Sequence, residues 1–120
     1  MIDHVSVSLT TTPSVLYTVP KGATQAYITI QNRDTTSLVT IGDSSLAAIG
    51  SVDGGIKLPA VSGNVATSPV STIQFWANGG DVIYGMRDAN PTIAYSCIVL
   101  ASYVQTATTV SDLNLQTNTK

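Results

Sequence analysis

Residues 71–86 read Ser-Thr-Ile-Gln-Phe-Trp-Ala-Asn-Gly-Gly-Asp-Val-Ile-Tyr-Gly-Met, and this stretch decides the fold class. Ile73 and Phe75 alternate with Thr72 and Gln74, the period of a half-buried strand. Asn78-Gly79-Gly80 follows, and Asn-Gly is the strongest short-range hairpin signal, because a type I′ turn needs positive φ at both central residues. The spacing therefore predicts a β-hairpin over 71–86. Phe75 shares the face of Ile73 and is assigned inward, so Trp76 projects the other way. Three settings compete for Trp76: burial, which ranks first, a protein interface, where tryptophan is enriched, and a glycan platform with Tyr84 and Tyr95.

Working outward, the same grammar repeats. Gln25–Asn32 alternates Ala26, Ile28 and Ile30 against Tyr27, Thr29 and Gln31, and the polar run Arg33–Ser37 separates it from Leu38–Gly42, which predicts a second hairpin. Val5, Val7 and Leu9 alternate with Ser6 and Ser8. Val15–Val19 closes on the turn Pro20-Lys21-Gly22. Leu46–Ile49 suits a helical turn, Ile56–Pro59 a short strand, and Val61–Pro69 a loop. Ile93–Tyr103 is the longest strand candidate and is apolar on both faces, as expected of a central strand covered on both sides. Strands recurring every ~8–12 residues with turns between indicate a sandwich or barrel. The expectation is an all-β protein: an antiparallel β-sandwich over residues 1–103. Residues 104–120 differ, being rich in Thr, Gln and Asn with sparse apolar positions. They predict an extended C-terminal arm anchored by Val104, Val110, Leu113 and Leu115, with Ile2 and Val5 as counterparts at the other end.

Composition narrows the function. The chain has 120 residues, 43% hydrophobic and only 10% charged, with a net charge of −2. Its seven acidic residues are all Asp, a turn and cap former, and Glu is absent. Lys21, Arg33, Lys57, Arg87 and Lys120 are scattered singly, which argues against nucleic-acid or anionic-lipid binding. No apolar run approaches the ~20 residues that span a bilayer. The start, MIDHVSVSLTTTP, lacks the basic and apolar regions of a secretory signal. The expectation is synthesis in a reducing cytosol.

Catalytic chemistry has few candidates. His4 is the single histidine and lies near the chain start, where a solvated or interface role is the simpler reading. Cys97, flanked by Ser96, Ile98 and Val99, reads as a packing residue rather than a nucleophile. One Cys and one His cannot complete a zinc site. Asp43, Asp53, Asp81 and Asp88 all fall in turns, but no calcium-loop spacing joins them. No phosphate-binding glycine loop is present. No cofactor and no enzyme activity are expected.

One block is familiar. Ile28–Asn32 (ITIQN), Val39–Ser45 (VTIGDSS), Gly54–Ala60 (GGIKLPA) and Ser71–Met86 resemble small virion-associated proteins of tailed bacteriophages. The matching features are the strand-ending Asn32, Ile41-Gly42, Gly55-x-x-Leu58 and Trp76-Ala77. The resemblance implies a β-sandwich or jelly-roll-like fold without catalysis, and on a genome-filled virion the net charge of −2 with scattered basic residues argues for the outer surface rather than the lumen. A capsid cement or decoration protein, contacting the major capsid protein or other virion proteins, is the first expectation, and a homo-oligomer such as a trimer fits that role. A tail, neck or fibre component, or a glycan- or receptor-binding module, is the alternative. The interface residues expected are Val104, Val110, Leu113, Leu115, Ile2, Val5 and Trp76.

Overall fold

The computed structural model describes residues 1–61, 71–88 and 97–105. In chain order these form β1 (Ile2–Val7), β2 (Ser14–Thr18), β3 (Ala23–Asn32), β4 (Val39–Gly42), helix α1 (Ser44–Ile49), a 3-10 turn (Val52–Gly54), β5 (Ile56–Leu58), β6 (Ser71–Asn78), β7 (Val82–Arg87) and β8 (Cys97–Gln105). Two four-stranded antiparallel sheets result, ordered β1-β8-β3-β6 and β2-β7-β4-β5. They pack face to face as the antiparallel β-sandwich that the alternation predicts. Pairing is nested: β1 joins β8, β2 joins β7, β3 joins β6 and β4 joins β5. The chain behaves as one long hairpin, its tip at α1, wound so that successive strands fall mostly in opposite sheets.

The inward residues of both sheets make the core. Ile28, Ile30, Val39 and Val99 are fully buried, with Leu9 and Val19 from the connecting loops. Burying such a side chain is worth about 1.5–3 kcal/mol. Phe75 and Ile73 pack against this core from β6, as their shared face requires.

Both local hairpins are corrected. The strands flanking Asn78-Gly79-Gly80 do not pair: β6 belongs to the first sheet and β7 to the second. The Asp81 amide does donate to the Asn78 carbonyl, 3.0 Å, but positive φ occurs only at Gly80, 90°, and not at Gly79. That fits a type II turn, which splays its flanking strands, rather than type I′, which pairs them. Gly79 is needed for another reason. A Cβ there would lie 2.2 Å from the Ala23 carbonyl oxygen. The turn is pressed against residues 19–23, and the Gly80 amide donates to the Val19 carbonyl at 2.9 Å.

The β3–β4 hairpin fails at Asn32. Its buried amide nitrogen donates to the Ser37 and Leu58 carbonyls, 3.0 and 3.1 Å, and its oxygen accepts from the Asp34 amide, 2.9 Å. This side chain gathers the 33–38 loop into a corner, and the chain leaves one sheet for the other. β4 then lies inside the second sheet, between β7 and β5.

The Ile93–Tyr103 candidate is seen from Cys97 onward, as β8, between β1 and β3. Residues 93–96 and most of the 61–69 loop lie outside the described residues. β8 runs to Gln105, so Val104 belongs to a strand rather than to an arm. Covering on both sides does not hold among the described residues: the inward Cys97, Val99 and Ala101 are buried, but Leu100 on the outer face is 45% exposed.

Candidate protein-interaction face

The outer face of the first sheet follows from strand register. Ile2, Ser102, Tyr27 and Trp76 form one row across β1, β8, β3 and β6. His4, Leu100, Thr29 and Gln74 form the next, and Ser6, Ile98, Gln31 and Thr72 the third. No Asp, Glu, Lys or Arg stands on these rows. Ile2, Leu100 and Trp76 are exposed among the uncharged polar side chains of these rows, with Val104 further along β8.

Trp76 is 63% exposed, so burial, the setting ranked first from sequence, does not hold. Its ring lies against Tyr27, centroids 4.9 Å apart and planes tilted by 52°. Such aromatic pairs contribute about 0.5–1.5 kcal/mol beyond area burial. The contact limits the freedom of an exposed indole, which lowers the ordering cost of using it in a contact.

Of the residues named from sequence, Ile2, Trp76 and Val104 are exposed on this sheet. Val5 is corrected. It points the other way and packs against the core. An N-terminal arm anchored by Ile2 and Val5 is corrected with it, because β1 is hydrogen-bonded along β8 from Ile2 to Val7. The terminal ammonium of Met1 donates to the Tyr103 carbonyl, and the Tyr103 amide donates back to the Met1 carbonyl at 2.8 Å. Asp3 turns inward and accepts from the Tyr17 and Tyr103 hydroxyls, 2.7 and 3.2 Å. Burial, then the hydrogen bond to Asp3, pushes the Tyr17 hydroxyl well above its ordinary range. Val110, Leu113 and Leu115 lie outside the described residues.

A cleft of about 840 Å³ opens at the β6 edge, between the two sheets. Ile73 and Phe75 line one wall, and Ile41, Ile56 and Ile83 the other, with Asp43, Asp81 and Tyr84 among the remaining lining residues. Among the described residues the sheets leave this edge open, with apolar side chains lining it.

The other sequence candidates have structural duties. Asp43 caps α1 by accepting from the Ser45 amide, 2.9 Å, and Asp53 pairs with Lys57 at 2.7 Å. Asp81 accepts from the Asn78 amide, 2.8 Å, and Asp88 from the Leu38 amide, 3.0 Å. Among the described residues no cluster of three or more His, Cys, Asp or Glu could hold a metal ion. Burial pushes the Cys97 thiol up to about 12, far from a reactive thiolate. His4 is exposed on the outer face, opposite Leu100.

Sequence reading missed a buried ion pair. Arg87 and Asp34 have no exposed surface and contact each other through Nη2 and Oδ2. Asp34 Oδ1 also accepts from the Thr36 and Ser37 amides, 2.8 and 3.1 Å. Together with Asn32 the pair pins the corner between β3 and β4 to the end of β7. No described helix is long and apolar enough to cross a membrane. Compared with known proteins, the chain matches no family model, no curated protein and no solved structure.

Proposed function

We propose that this chain is a non-enzymatic virion structural protein: a capsid cement or decoration protein of a tailed phage, bridging neighbouring coat subunits on the outer surface. The observation that carries the reading is the charge-free outer face of the first sheet, with Trp76, Ile2 and Leu100 exposed on it. Such a face offers contact area at low desolvation cost, because no ionised group must be stripped of water. The nested strand pairing, which we read as a jelly-roll-like winding, agrees with this setting, since that architecture is common in capsid and lectin domains. Two covered sheets give a stiff platform, so docking requires little ordering of the body. Val104 extends the face along β8. Val110, Leu113 and Leu115 would carry contact onto a neighbouring subunit, raising the cost of separating either one through effective concentration.

The test is attachment to particles that lack the protein. Replacing Trp76→Ala and Leu100→Ser together is expected to weaken attachment by roughly 30-fold or more, the scale of losing about 2 kcal/mol of interface energy. Attachment at wild-type strength by the folded double variant rejects the reading.

A second reading is a glycan- or receptor-binding module of a tail, neck or fibre. It is favoured by the cleft, where Trp76 and Tyr84 stand with Asp43 and Asp81 among the lining residues. Aromatic faces with nearby carboxylates suit stacking and hydroxyl recognition of sugars. Saturable binding on a glycan array, lost with Tyr84→Ala, would favour it over the cement role.

A further inference from the structure

The outer face of the first sheet carries one side chain of the type that changes charge near neutral pH. His4 stands in the middle of the three rows, beside Leu100 of β8, with Thr29 of β3 and Gln74 of β6 further along. It is the single histidine of the chain. It is exposed, and among the described residues no side-chain hydrogen bond or ion pair holds its ring. Its charge is therefore not committed to holding the fold.

The groups around it are few. On β1, Ile2 and Ser6 share the face, while Asp3 turns inward to the Tyr17 and Tyr103 hydroxyls. The terminal ammonium of Met1 is held at the strand's end by the Tyr103 carbonyl. β1 pairs with β8 alone. β8 brings Leu100, flanked on the face by Ile98 and Ser102, and its titratable Cys97 and Tyr103 are buried on the inner side. Further across, β3 brings Thr29, with the Tyr27 phenol one row away, and β6 brings Gln74. Among the described residues no carboxylate stands on this face to stabilise an imidazolium.

We propose that His4 makes docking by this face pH-sensitive, because a partner surface can cover its neutral imidazole but not its imidazolium without loss. Covering an ionised group strips it of water, and an uncharged partner surface returns nothing for it. This deepens the docking reading and rests on it. The sign follows from the proton. The docked state disfavours the protonated ring, so attachment is full above the ordinary histidine range and is lost as pH falls through it. A single proton limits the fall to about tenfold per pH unit. The partner surface required is one without charge opposite His4. A carboxylate there would reverse the sign.

The test is the affinity of the full chain for particles that lack it, measured at about pH 8 and about pH 5.5, either side of the histidine range. Wild-type attachment is expected to be roughly tenfold weaker at the lower pH. For His4→Gln, whatever its strength, that difference between the two pH values is expected to vanish. His4→Lys fixes a positive charge on the face and is expected to attach weakly at both. Far-ultraviolet dichroism at each pH checks that the exposed substitutions leave the fold in place. A wild type whose attachment is level or tightens in acid, a His4→Gln variant that keeps the wild-type difference, or a His4→Lys variant that attaches at wild-type strength at the higher pH overturns the proposal. The Trp76→Ala and Leu100→Ser double variant, run at the higher pH, separates the two failures. If it weakens attachment while the wild type shows no pH dependence, this inference alone falls. If it attaches at wild-type strength, the docking reading falls and takes this inference with it.

Discussion

At Arg87 and Asp34 two charges are held in contact with no exposed surface. Removing Asp34 takes away the carboxylate that the buried guanidinium touches, and leaves it the more distant charge of Asp88. Asp34→Ala is therefore expected to cost about 3–5 kcal/mol, read from the midpoint of urea unfolding, and a loss below about 1 kcal/mol would contradict this account of the corner. Cys97 gives a pH signature. Its thiol moves from an ordinary 9.0 to about 12 because burial disfavours the thiolate. A raised pKa means that the folded state holds the proton longer than the unfolded chain. The contribution is thus fully present below pH 9 and is lost as pH rises from 9 towards 12, by about 1.4 kcal/mol per unit at most. Cys97→Ala should flatten the fall in stability over that window in alkaline denaturation curves. An unchanged slope would place the thiol elsewhere. Residue-scale legibility followed from alternation: the opposed directions of Phe75 and Trp76 could be read directly. Arg87 could not, because a lone charge next to Met86 and Asp88 looks like surface, and the carboxylate that holds it is far away in the chain.

Among the elements, the Asn78–Asp81 turn separates what a motif encodes from what the fold uses. The glycines were legible as a turn, but not as a turn between sheets. Gly79 is held by close approach to Ala23 and Gly80 by its positive φ. Gly79→Ala should cost about 1–3 kcal/mol by overpacking. Gly80→Asn should be milder, since asparagine tolerates left-handed backbone and a Cβ there meets only the Lys21 side chain, at 3.8 Å. Equal thermal shifts for the two variants would refute this division of roles. The exposed face of β6 makes the opposite prediction. Trp76→Ala should change unfolding free energy by no more than the aromatic contact with Tyr27, about 0.5–1.5 kcal/mol, while its effect on attachment is larger. A stability loss above about 3 kcal/mol would show that the indole is a core group.

On the scale of the whole molecule, the sandwich class was readable and its winding was not. Period-two alternation states which side chains face inward, but it names no partner strand. Nested pairing joins Ile2 to Ser102 across most of the chain and Gln25 to Asn78 across nearly half of it, and no local signal carries those distances. The proposed interaction face was half legible for the same reason. Ile2, Trp76 and Val104 could be named singly, yet only the register of four strands places Ile2 and Trp76 in one row with Tyr27 between. The central claim is that this sheet face is what the protein presents to other proteins. Radical footprinting of the chain, free and bound to virions, tests it most directly. The account predicts that Trp76, Tyr27 and Leu100 lose most of their oxidation on binding. Unchanged labelling of all three, with protection gathered on the second sheet instead, would contradict it.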